Sequence, residues 1–185
     1  MPSIAAHMVV AKLLEEKLGF KSTEFIKGNL LPDIIDIKDS HHKIKGKYYF
    51  IPDLEYFKNT LDLSNDLYLG YYTHLLLDQY FLEEFVPNNI SNLDVFSNGI
   101  IYQEYTNINY LLVKKYHLDV EYLLTILNDF LVAIRQEKLI NNLSCLLETK
   151  IKITTYLQFS EFSNFLENAI ELISEEIKDY VHKLG

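Results

Sequence analysis

The chain has 185 residues, 49% hydrophobic and 14% aromatic, which supplies apolar surface for a sizeable core and excludes a disordered class. A net charge of −9, with Arg135 the one arginine and the lysines dispersed among acids, excludes the basic face of a duplex nucleic-acid binder. No apolar run reaches transmembrane length, the first residues lack the basic segment of a secretory signal, and the lone Cys145 allows no internal disulfide, so a cytoplasmic protein is expected.

Residues 3–18 predict a first amphipathic helix, with Ile4, Met8, Ala11 and Leu14 on one stripe and Gly19 as its stop. His7 falls on that stripe and is expected to point inward. Residues 22–31 predict a short helix opened by Ser22 or Thr23 and closed by Pro32, because a residue before proline is pushed away from α geometry. Residues 32–52, PDIIDIKDSHHKIKGKYYFIP, read as a loop, long enough to be functional. A short helix is expected over 53–61, starting near Asp53. Ser64 or Asn65 then caps a long helix to about Phe85, which Pro87 ends. After a break at 87–96, helices are expected at about 97–116, 119–136, 137–148 and 159–183. Ser160 is the expected cap of the last, whose Phe162, Phe165, Ala169, Ile170, Ile173 and Ile177 share a face. The pattern is all-α: one multi-helix bundle over 1–185, without repeats or linkers.

Four of the six histidines, His7, His41, His42 and His74, fall in the first 74 residues. In GYYTHLLLDQYF (70–81), His74 and Asp78 share a helix face about 6 Å apart along the axis. Taken alone, that pair reads equally well as a mutual hydrogen bond on a helix, stabilising by about 0.2–0.5 kcal/mol. His7 alone reads as a core histidine, Ser40-His41-His42 as a solvated loop, and Asp33 as a turn residue after proline. Taken together, His7, Asp33, His41 or His42, His74 and Asp78 are a set of imidazoles and carboxylates. Such a set suits zinc, iron, nickel or manganese, and the lack of cysteine ligands argues against a sulfur-rich structural zinc site.

A helical histidine, then G-x-x-x-P-D (28–33), then S-H (40–41), then G-Y-x-x-H-x-x-x-D (70–78), resembles the zinc-dependent phospholipase C family. That family shares its all-helical fold with the single-strand-specific fungal nucleases, and its short bacterial members are of about this size. The resemblance covers roughly residues 1–86; residues 97–185 match only as further helices. It implies a metal cluster, most simply zinc, held by His7, Asp33, His41, His74 and Asp78. His41 is preferred to His42 because it follows the serine directly, and Asp33 takes the position of a general base. The implied activity is hydrolysis of a small-molecule or lipid phosphoester. Two features depart from the family. This chain has no tryptophan to match the family's amino-terminal tryptophan ligand. Downstream, only His117 and Glu121 have the family's H-x-x-x-E spacing, with Glu84 on the long helix beyond Asp78, so one or two metal ions are expected rather than three.

Glu104, in Y-Q-E-Y (102–105), and Asp53 are further candidate acids near the site. Tyr48, Tyr49, Phe50, Tyr68, Tyr71 and Tyr72 either wall a cleft or belong to the core. No membrane-binding face is evident in the sequence. Two other readings stand beside the hydrolase. One is a helical metal-binding or interaction domain without catalysis. The other is an HD-type phosphohydrolase, whose His-Asp dipeptide is absent here.

Overall fold

The structure, a computed structural model, describes residues 1–34, 43–47, 49–90, 101, 104–133 and 156–181. His41, His42, Tyr48 and the helix expected over 137–148 lie outside the described residues.

The first helix, α1 (Ile4–Leu18), is opened by Ser3, whose side chain accepts a hydrogen bond from the Ala6 N–H. Gly19 closes it at φ 72°, in the left-handed region where a Cβ is disfavoured, and donates its N–H to the Glu15 carbonyl. The expected amphipathic stripe gives way to burial all round: Ala5 through Ala11 are all buried, His7 included. Three alanines in that stretch keep the helix slim, so α1 packs against four other helices at the centre of the fold.

Helix α2 (Thr23–Ile34) runs through Pro32, contrary to the expectation that Pro32 ends it. The proline falls in the last turn, where losing its N–H costs one bond, and Leu31 and Pro32 are both buried. The expected loop over 32–52 also contains strands. β1 (Lys43–Lys45) and β2 (Phe50–Pro52) pair antiparallel, and the Gly46 N–H donates to the Tyr49 carbonyl across the turn. The K-I-K pattern, flanked by Gly46 and an aromatic run, carries the period of two that a strand needs. Helix α3 (Leu54–Thr60) follows, and Asp53 is its cap, accepting from the Tyr56 N–H at 3.1 Å.

Helix α4 (Asp66–Tyr80) starts at Asn65, which accepts from the Leu67 N–H at 2.9 Å. It passes into a π-helical turn, Phe81–Phe85, and then α5 (Val86–Asn89). Pro87 therefore does not end the helical run: it sits at the start of α5, where no N–H is required. The wider turn sets Phe81 and Phe85 in a stack 5.3 Å apart, against Phe162 and Phe165 of the last helix. Helices α6 (Tyr105–Lys115), α7 (Val120–Ala133) and α8 (Phe159–Val181) complete the described part. Ser160 lies inside α8 rather than capping it, since the first bond runs from the Phe162 N–H to the Gln158 carbonyl. As expected, α8 buries Phe162, Ala169, Ile170, Ile173 and Ile177.

The described residues are thus helical apart from one hairpin, and no helix among them is long and apolar enough to cross a membrane. The closest helix pair is α2 with α4. A Cβ on Gly28 would lie 1.9 Å from the Leu67 carbonyl oxygen, and one on Gly70 2.1 Å from that of Phe25. These two glycines let the backbones touch, and that contact sets Asn29 and Asp33 of α2 against His74 of α4.

Candidate metal centre

His7 comes from the first turn of α1, His74 and Asp78 from successive turns of α4, and Asp33 from the end of α2. Their convergence follows from the close α2–α4 crossing and from α1 lying across both helices. The imidazoles of His7 and His74 stack with centroids 3.6 Å apart and planes 4° from parallel. Asp78 faces both: its Oδ1 is 3.5 Å from His7 Nε2, and its Oδ2 is 3.5 Å from His74 Nε2. Asp33 Oδ1 is 3.9 Å from His74 Nε2. The side chains of His7 and His74 are 0% exposed and that of Asp78 is 2% exposed, against 17% for Asp33. Asp33 thus stands on the rim, its carboxylate partly in solvent.

His74 is oriented from outside the cluster. Its Nδ1–H donates to the Asn29 carbonyl at 2.7 Å, which leaves the Nε2 lone pair directed at Asp78. Both nitrogens of His7, Nε2 of His74 and Oδ1 of Asp78 have no hydrogen-bond partner. The 3.5 Å contacts are longer than the 2.7–2.9 Å, roughly, of a charge-assisted hydrogen bond. They match the spacing of about 3.3–3.5 Å between donor atoms around a tetrahedral ion with bonds near 2.1 Å. One ligand atom from each of these three buried residues lies within 4.8 Å of the others, close enough to share a cation.

The three buried groups shift in different directions in the metal-free cluster. Burial, then the adjacent His74, hold His7 below the ordinary imidazole pKa, so it stays a neutral donor. For His74, burial opposes the charge, but the Asp78 carboxylate outweighs it and the net shift is upward. Burial likewise works to raise Asp78, yet the two imidazoles hold it well below the usual carboxylate range. The Met1 amino group is buried within electrostatic reach of the same acids. Burial lowers its pKa, against the opposing pull of Asp78 and Asp33.

The structure therefore gathers His7, His74 and Asp78, and sets Asp33 beside them. The other candidates serve elsewhere. Glu104 accepts from the N–H groups of Tyr156, at 2.9 Å, and Leu157, at 2.7 Å, tying α6 to the lead-in of α8. Glu84 is exposed on the π-helical turn, and Asp53 caps α3. His117 and Glu121 are both exposed, His117 at φ 49° just after α6, because the turn between α6 and α7 lies on the surface. Of the aromatics, Tyr72 is core, its hydroxyl donating to Glu176 at 3.3 Å, while Tyr71 packs on Phe57 and Phe50 is 68% exposed. Asn29 is what sequence reasoning missed. Its contribution is a backbone carbonyl, which no side-chain pattern encodes.

Set against protein-family models, curated proteins and solved structures, the chain matches none of them.

Proposed function

We propose that this chain is a cytoplasmic, metal-dependent hydrolase of phosphoesters, with a fold and site of the zinc-dependent phospholipase C type. The observation that carries the reading is the buried trio His7, His74 and Asp78, spaced as cation ligands and lacking other partners. Two imidazoles and a carboxylate with a position left open are a catalytic zinc donor set; iron, nickel or manganese are compatible with the same donors. When bound, the cation supplies Lewis acidity, polarising a phosphoryl group and making water a competent nucleophile near neutral pH.

The protein's own part is positioning and proton handling. His7, His74 and Asp78 hold the cation, with Asp33 and His41 completing the set that the family resemblance implies. The bond to the Asn29 carbonyl locks the His74 tautomer. Asp33, with a side chain 17% exposed against 2% for Asp78, would orient a water and accept its proton. The substrate class is a small-molecule or lipid phosphoester.

The test is metal analysis of protein purified without added metal, followed by assays on phosphodiesters and phosphomonoesters. Stoichiometric metal that is lost in His74→Ala, with turnover that is lost in Asp33→Asn, is the expected result. No metal in the wild type, together with full stability of His74→Ala, would end the reading. One observation favours a second reading, a metal-binding domain without catalysis: the three central side chains are at most 2% exposed. Stoichiometric metal without turnover on any ester would select it.

A further inference from the structure

Outside the metal centre, Glu15 is the one buried carboxylate among the described residues. It lies in the last turn of α1, about 12 Å along the helix axis from His7. Its Oε1 accepts from the Ser22 N–H at 2.7 Å, and no other hydrogen bond or ion pair reaches the carboxylate among the described residues. Burial pushes its pKa above the ordinary carboxylate value, against the opposing pull of the Ser22 N–H and Lys21.

Glu15 lines a cavity of about 310 Å³ between the end of α1, the start of α2 and the turn into α7. Phe20, Ile26, Leu118 and Leu123 form its apolar wall. Tyr122 also lines it, 38% exposed, with the Lys21 ammonium 5.1 Å from its ring centroid. Lys21 is itself exposed and makes no ion pair among the described residues. An apolar cavity with a few convergent polar groups, at the lower end of roughly 300–1,000 Å³, is the ordinary form of a small-molecule site.

We propose that this cavity binds a small organic cation, a protonated primary amine on an aromatic or short aliphatic body. The ammonium would sit between the Glu15 carboxylate and the face of Tyr122, displacing the Lys21 ammonium, with the body against the apolar wall. Lys21 itself shows that this ring face accepts an ammonium. The sign of the ligand's charge follows from depth. The buried charge is an anion, whereas Lys21 lies in solvent and Lys12 is paired with Glu16 at 2.7 Å. An organic anion would meet the Glu15 carboxylate where water screens it poorly. A neutral ligand would strip water from that carboxylate without replacing it. A bare metal ion needs several oxygens, and the neighbouring Glu16 and Asp119 are engaged by Lys12 and by the Tyr122 N–H. The cavity shares no residue with the metal centre, and the inference does not rest on the proposed hydrolysis.

The experiment is titration of the isotope-labelled full chain with phenethylamine, phenethyl alcohol and phenylpropionate at neutral pH, read as amide shifts, in EDTA and again after zinc loading. The amine is expected to bind with a Kd on the order of 1 mM, shifting amides within 12–26 and 118–123, and the alcohol and carboxylate to bind more weakly. Glu15→Gln keeps an acceptor for the Ser22 N–H but removes the charge, and should weaken the amine about tenfold to a hundredfold. Tyr122→Leu should weaken it about threefold. Lys21→Ala removes the competing ammonium and should tighten the amine about two- to fivefold. Lys21 and Tyr122 are exposed, so these two variants decide the matter even if Glu15→Gln fails to fold. No shifts with the amine, equal or tighter binding of the alcohol or carboxylate, shifts confined to the metal centre, or weaker amine binding in Lys21→Ala would each overturn the proposal. Binding is read with and without metal and without turnover, so this test and that of the hydrolase fail separately.

Discussion

His74 carries two obligations at once: its Nδ1–H is fixed by the Asn29 carbonyl, and its Nε2 faces two carboxylates. His7, stacked on it, has neither nitrogen bonded. The three buried groups respond differently to pH. His7 is depressed below 6.5, so it is neutral when folded and protonated when unfolded; its contribution is present above 6.5 and declines as pH falls below it. His74 is raised, so its contribution is full below 6.5 and is lost as pH rises through its folded value. Asp78 is depressed below 3.8, so its contribution is present above 3.8 and is lost as acid protonates it. The two imidazoles thus act on opposite sides of 6.5, and in acid the loss at Asp78 adds to the loss already begun at His7. Metal-free wild type should therefore lose stability more steeply below about pH 4 than Asp78→Asn does, read as urea midpoints across an acid series. Parallel slopes would contradict this assignment.

Among the helices, the α2–α4 crossing decides whether the Asn29 carbonyl and Asp33 reach His74. Gly28 and Gly70 each face a backbone carbonyl that a methyl group would overlap. Gly70→Ala should cost about 1–3 kcal/mol or more, because backbone on both sides must move. It should also weaken metal binding, because Asn29 shifts away from His74. Gly19→Ala offers a contrast: nothing lies within 4 Å, and the penalty is conformational only, at φ 72°. It should cost about 1 kcal/mol and leave metal binding intact. Urea unfolding with metal titration of both variants checks the pair. The sequence displays these glycines beside the histidine and aspartate motifs. It does not say that they serve a helix contact, because the residues they face, Leu67 and Phe25, take part through backbone atoms.

Across the whole molecule, a cation in the candidate centre would stabilise the fold separately from the aromatic packing under α8. The ligands come from α1 and α4, so a bound cation fastens together elements distant in sequence. Chelation of the metal-loaded protein should lower Tm by about 5–10 °C, as expected for loss of a ligand present near 100 Kd. An unchanged Tm in EDTA would contradict a bound metal. Phe162 is 0% exposed and touches the rings of Phe81, Phe85 and Phe165. Phe162→Ala should cost about 3–5 kcal/mol in urea unfolding, with unchanged metal stoichiometry in the folded protein.

The helical character, the α8 core face and the inward direction of His7 were legible in the sequence, because 3.6-residue periodicity and residues such as Ser3, Gly19 and Asn65 act within a few positions of themselves. The runs through Pro32 and Pro87 and the hairpin at 43–52 were not, because local propensity yields to the packing that each segment meets. The sequence by itself determined which residue types were present for a cation site, and in what order. Only the tertiary structure decided that His7, His74 and Asp78 meet while His117, Glu121 and Glu104 do not. Helix crossings are set by the fit of whole faces, here two glycines against carbonyl oxygens, and spacing along the chain does not record which faces will touch.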